Sequence, residues 1–212
     1  MQPSPRPVVN LKRGDPAPES PPTSVLRASR YNPPMHPSLK PAHDTYQQQA
    51  DHLLAEVRAL SPEQRAFRSD PDSWSHIEVL HHLTLVDQGV AQYLEEGLPE
   101  GKRRPRLRQR LMGPLVKLVL RSPIRVKAPS DRVLPDPDVS FDEVEETWRQ
   151  ARGEITTQLE QIGDDRVGTP TFIHPISGPL TPAQVLTFLN DHLNHHGHQV
   201  RRIRKHPDFP AG

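Results

Sequence analysis

The sequence predicts an all-α protein: a four-helix bundle with a long crossover between the second and third helices. Three observations carry this. Four stretches repeat apolar residues at helical spacing, near 100° per residue, strand-like alternation is nearly absent, and histidines sit within the apolar faces of two of the four stretches.

Composition sets the outer limits. A length of 212 residues suits one domain with extensions, and 27 Lys and Arg against 26 Asp and Glu leave a net charge of +1, which argues against a specific nucleic-acid partner. The absence of cysteine excludes disulfides, thiolate metal ligands and a thiol nucleophile of the protein's own. The start MQPSPRPVVN lacks the apolar core of a signal peptide, and no run approaches the roughly 18 apolar residues of a membrane span. A cytoplasmic protein without stable membrane association is the default expectation.

Residues 1–40 hold a large share of the 26 prolines, with few apolar residues between them. Such a segment buries too little surface to offset its ordering entropy, so a disordered or loosely docked arm is expected, with Tyr31, Met35 and Leu39 as candidate anchors. A bundle domain over 41–206 and a tail over 207–212 complete the division.

The first helix is expected near 42–60, where Tyr46, Ala50, Leu53, Leu54, Val57 and Leu60 follow helical spacing until Ser61-Pro62. His43 and His52 lie off or at the edge of that stripe, which predicts surface positions. At most a short turn of helix is expected between Ser61 and Ser73. The second helix, near 75–97, carries Val79, Leu85, Val86, Gly89, Val90 and Tyr93 on one face, with His82 in its middle and Glu78 beside it. His76 and His81 point to the flanks, toward solvent. Gly89 marks a close approach or a plain packing contact.

Lys102 to Arg121 is a basic amphipathic segment interrupted by Pro105 and Pro114. It suits a membrane surface, an anionic ligand or RNA, or a solvated insertion closing one end of the bundle. Prolines return from Ser122 to Pro137 as a crossover loop. The third helix, near 140–162, starts with a capping-box pattern at Ser140 and Glu143 and shows Phe141, Val144, Trp148, Ala151, Ile155, Leu159 and Ile162 on one face. Arg152 shares that face, so it either holds a carboxylate structurally or clamps an anion. Gly163 is placed for the C-cap, and Val167 to Pro179 forms a loop that could include a short extended pair.

Thr181 as N-cap and Pro182 at the first helical position open the fourth helix, near 181–205. Val185, Phe188, Leu189, His192, His196, Gln199 and Ile203 share one side, with His195 beside them. His192 and His196 are spaced i, i+4, which sets both rings over one point beside the helix, as in the two-histidine arm of helical zinc sites. A third ligand must come from elsewhere, and His82 on the second helix can point into the same interior cavity. Each ring could instead be satisfied separately in the core.

Trp74-Ser75-His76-Ile77-Glu78-Val79-Leu80-His81-His82-Leu83 resembles the W-S-x-x-E-V-L-x-H-L segment of the DinB/YfiT-like superfamily. His192-x-x-x-His196-x-x-Gln199-Val200 resembles its closing H-x-x-x-H-x-x-Q-I motif, and His174-Pro175-Ile176-Ser177-Gly178-Pro179-Leu180-Thr181 is similar to the H-P-x-x-G-x-L-T approach to the last helix in one branch. The likeness spans about Ala42 to Arg204. It implies a four-helix bundle, often a homodimer, with one divalent metal ion held by His82, His192 and His196. It also implies, from members of known chemistry, a thiol-dependent S-transferase or isomerase that uses a low-molecular-weight thiol such as bacillithiol or mycothiol on an electrophilic small-molecule substrate. The basic segment 102–121 is not part of the motif.

Three neutral imidazoles leave at least one coordination position open, the arrangement of a catalytic site, and Zn, Ni, Mn or Fe all suit such a donor set. That position could activate water or a thiol brought in from outside. Glu78, Asp87 and Asp191 are candidates to orient the imidazoles or act as a base; Glu78, Arg152 and His195 are the catalytic candidates. Gln199 and Tyr93 are the candidates for holding a cofactor. Metal-assisted hydrolysis and non-catalytic binding of metal or a small molecule are the rival functions.

Overall fold

A computed structural model describes residues 34–98 and 131–211. Most of the proline-rich arm and the basic segment 102–121 lie outside the described residues. The elements are α1 (Lys40–Arg58), α2 (Pro62–Ala66), α3 (His76–Glu96), a 3-10 turn (Asp131–Val133), α4 (Phe141–Glu160), a hairpin of β1 (Phe172–His174) and β2 (Gly178–Leu180), and α5 (Pro182–Arg204). The four long helices are those the apolar periodicity predicts, and α2 is the short turn expected after Ser61. Among the described residues no helix is long and apolar enough to cross a membrane.

Local chemistry fixes where these helices begin. Ser61, Ser75 and Thr181 each accept from the backbone N–H three residues on, and Gln64, Glu78 and Gln184 reach back to the cap's own N–H, so two otherwise orphaned donors are satisfied at each start. The box expected at Ser140 is reduced to its forward bond, Oγ accepting from Glu143 N at 3.2 Å. α4 also stops earlier than expected: Gln161 is its C-cap, and the Gly163 carbonyl accepts from Arg166 and Val167 in the next turn.

The bundle pairs α3 chiefly with α4 and α1 chiefly with α5, while α3 also touches α5. Trp148, Tyr46, Leu80, Ile155, Leu159, Leu186 and Leu189 are fully buried between them. Truncating one such aliphatic side chain to Ala removes about 2–5 kcal/mol. Leu39 and Met35 dock on this core, so the end of the arm is held against the body.

The buried face of α3 is rotated from the one its apolar residues suggested. Val79, Leu80, Leu83, Val90, Ala91 and Leu94 are buried, whereas Leu85 and Val86 are half-buried and Tyr93 is 37% exposed. The reason is that polar residues share the buried side: Thr84 returns its hydroxyl to the Leu80 carbonyl, and Asp87 has partners of its own. At Gly89 a Cβ would meet no described atom within 4 Å, so no described neighbour approaches closely there.

Two histidines expected at the surface are inside. His43 is buried and donates from Nε2 to Thr156 Oγ1 on α4 at 2.9 Å. His76 is fully buried, with Nδ1 donating to the Gln64 carbonyl at 3.1 Å. The chain's end covers it: Phe209 packs edge-on against both His76 and Phe67, and Gln64 Nε2 donates to the Pro210 carbonyl at 2.9 Å. Burial pushes His76 down to about 4, so its ring is neutral near pH 7.

Candidate metal centre

His82 comes from the middle of α3, and His192 and His196 come from consecutive turns of α5. All three rings are buried, and one ligand nitrogen from each lies within 4.8 Å of the others. His82 Nε2 is 3.3 Å from His192 Nε2, which is 3.1 Å from His196 Nε2.

The outer edges of two rings fix which nitrogen faces inward. His82 Nδ1 donates to the Val133 carbonyl at 2.6 Å, and His196 Nδ1 donates to Gln199 Oε1 at 2.8 Å. A neutral imidazole that donates from Nδ1 keeps a lone pair on Nε2, so both rings aim acceptors at His192. The single nitrogen that His192 turns toward them can supply a proton to only one. Burial, followed by the neighbouring imidazoles, holds His192 well below the ordinary histidine range; burial does the same for His196 and lowers His82. The cluster therefore stays neutral and presents lone pairs to one another.

Such an arrangement suits a cation. Two nitrogens 2.0–2.1 Å from one tetrahedral ion stand about 3.3–3.4 Å apart, close to the two spacings observed here. The donor set fits a divalent metal ion of borderline softness.

Aromatic rings wall the cluster on two sides. Trp74, just before α3, lies over His82 with centroids 4.9 Å apart and over His196 at 6.3 Å. Phe188 stacks on His192 at 5.4 Å and 20°. Both walls are half-buried, which leaves them able to face a small molecule.

Residues 45–200 match the family model of the DinB superfamily. The chain belongs to the DinB superfamily. No curated protein and no solved structure gives a significant match. The family match takes in every residue of the histidine cluster and both aromatic walls.

The other candidates fall in different places. Glu78 is engaged at the start of α3, where its carboxylate accepts from Ser75 N at 2.9 Å and pairs with Arg68 Nε at 2.9 Å. Asp87 accepts from the Tyr46 hydroxyl and, at 2.7 Å, from Trp148 Nε1. Arg152 holds Asp51 at 2.7 Å and Gln47 Oε1 at 2.8 Å, with its guanidinium 5.3 Å from the Trp148 ring centroid. That is the structural one of its two alternatives. Gln199 positions His196 through Nδ1. His195 is half-buried with its ring edge-on to His196 at 5.2 Å, and Asp191, next to His192 in sequence, is half-buried as well. Tyr93 packs edge-on against Phe172 at 5.3 Å.

The Val133 carbonyl was not legible beforehand, because a backbone acceptor 51 residues from His82 leaves no side-chain signal. Phe188 reads in the sequence as part of the apolar face of α5, and only the fold makes it a wall. Trp74 was visible only as part of the family motif.

Proposed function

We propose that His82, His192 and His196 hold one divalent metal ion and that the protein is a metal-dependent S-transferase, joining an external low-molecular-weight thiol to an electrophilic small molecule. The observation that carries the metal site is the convergence of three neutral imidazole nitrogens at 3.1 and 3.3 Å, with the proton on the outer nitrogen of two of them. When bound, the ion supplies Lewis acidity that lowers the pKa of a thiol in its open position. The Val133 carbonyl and Gln199 keep His82 and His196 in the ligating tautomer, while Trp74 and Phe188 exclude water from the flanks.

The sulfur must arrive from outside, since the chain has no cysteine. Thiol transfer is favoured over hydrolysis by the fate of two carboxylates beside His82 in the sequence. Glu78 and Asp87, two of the three carboxylates that are candidates for a base, are both occupied elsewhere, so neither is poised as the general base that water activation commonly uses. Coordination alone is enough to deprotonate a thiol.

The test uses the full chain, purified without an affinity tag, stripped with chelator and reloaded with Zn, Ni, Mn or Fe. Each form is assayed with cysteine, glutathione and bacillithiol against monobromobimane. Conjugation that requires both metal and thiol supports the reading. Metal binding without thiol-dependent conjugation, or turnover that needs only water, contradicts it.

A further inference from the structure

His174 is the last residue of β1 and is 7% exposed. Its Nδ1 accepts from Ile176 N at 3.2 Å and from Ser177 N at 3.0 Å, closing the hairpin turn. A neutral imidazole that accepts at Nδ1 carries its proton on Nε2. Burial keeps the ring neutral, with a pKa of about 4.

The turn uses only one edge of this ring. A short side-chain oxygen would cap the same two N–H groups, yet the residue also presents a second polar atom on its far side. Among the described residues no hydrogen bond to Nε2 is found. The ring stands edge-on to Phe188 at 4.8 Å, and Phe188 is the ring stacked on His192. Phe188 thus touches a candidate metal ligand on α5 and a fixed, neutral N–H donor on the hairpin, and it also stacks on Phe172 at 6.1 Å and 16°.

The geometry points to His174 as a substrate-orienting donor: its Nε2–H binds an acceptor oxygen, carboxylate or carbonyl, on a small molecule whose other end takes the open position of the histidine centre and whose apolar part lies on Phe188. This rests on the metal reading above and adds the substrate class: an electrophile with an oxygen acceptor several ångströms from the group at the ion. A donor held in place by backbone bonds needs no reorganisation when the acceptor arrives.

The experiment separates this role from turn capping. Co(II)-loaded full-length protein is titrated with malonate, succinate and glutarate, and with propionate, butyrate and pentanoate of matching length, following the Co(II) visible spectrum. For at least one length the dicarboxylate should bind about tenfold or more tightly than its monocarboxylate partner, the scale of a hydrogen bond to a charged group. His174→Asn keeps an oxygen to cap the turn and the same neutral charge but has no distal donor. It should bind Co(II) within about threefold of wild type and lose most of that discrimination. Discrimination unchanged in His174→Asn, or absent in wild type, overturns the role of His174 while leaving the metal reading intact; failure of wild type to take up Co(II) overturns both. Independently of metal, nitrogen-15 NMR of the apoprotein should show His174 protonated at Nε2 from pH 5 to 8, and a proton on Nδ1 overturns the assignment.

Discussion

His82 and Asp87 lie five residues apart on α3, and each is the centre of a buried polar cluster, but the two clusters have opposite chemistry. Around Asp87, donors converge on one acceptor: the Tyr46 hydroxyl from α1 and Trp148 Nε1 from α4 both point at the same carboxylate oxygen. Around His82, acceptors converge on one another, and the donors that fix them lie on the outer edges of the rings. The first cluster is complete within the protein and ties three helices together. The second has no such donor at its centre and suits a cation there, so one helix carries a structural knot and a candidate metal site side by side.

The largest effect expected from this contrast is on stability. Asp87→Ala leaves the Tyr46 hydroxyl and the Trp148 N–H buried without an acceptor, which should lower unfolding stability by about 3–5 kcal/mol. Urea denaturation measures it, and a loss under about 1 kcal/mol would show that the knot holds little.

The same knot should be visible in pH dependence. Burial raises Asp87 to about 6, above its ordinary value of 3.8, although the Tyr46 and Trp148 bonds pull it down. The folded state therefore binds more protons between those values. Its stabilising contribution is present below about pH 4 and disappears as pH rises through 6, worth ~3 kcal/mol at most. Asp87→Asn removes this titration, so the stability of wild type relative to that variant should fall between pH 4 and 7. His76 and His174 act in the opposite direction: each is held at about 4, so its contribution is present above 6.5 and is lost as pH falls toward 4. Both histidines remain in the variant and cancel from the difference. A wild-type-to-variant difference that stays flat, or rises with pH, contradicts the buried-carboxylate account.

A smaller effect tests the outer edge of the other cluster. Gln199→Ala frees His196 Nδ1 and should weaken metal binding by about tenfold while leaving stability nearly unchanged. Competition with a chromophoric chelator reads the affinity. An unchanged value removes Gln199 from the centre.

The two clusters were also unequally legible in the sequence. The histidine centre was readable because its information is periodic: i, i+4 spacing and the position of His82, His192 and His196 on apolar faces are local properties, and the family motif names the same three residues. The Asp87 knot was not, because its partners lie 41 and 61 residues away on other helices and nothing local announces the pairing. For the same reason the face of α3 was misplaced, since an apolar pattern passes over Thr84 and Asp87. The apolar pattern points His43 and His76 to the surface, whereas Thr156 and the returning Phe209, both distant in the chain, bury them.

The central claim is that the open cluster is a metal site, and metal stoichiometry tests it most directly. Untagged full-length protein, stripped with chelator and titrated with Zn(II) in a calorimeter, should bind one ion per chain. His82→Ala should lose at least about a hundredfold in affinity while keeping its helical circular dichroism, since the apolar stripes of the bundle remain. Failure of wild type to bind an ion, or a full equivalent bound with unchanged affinity by His82→Ala, would contradict the account.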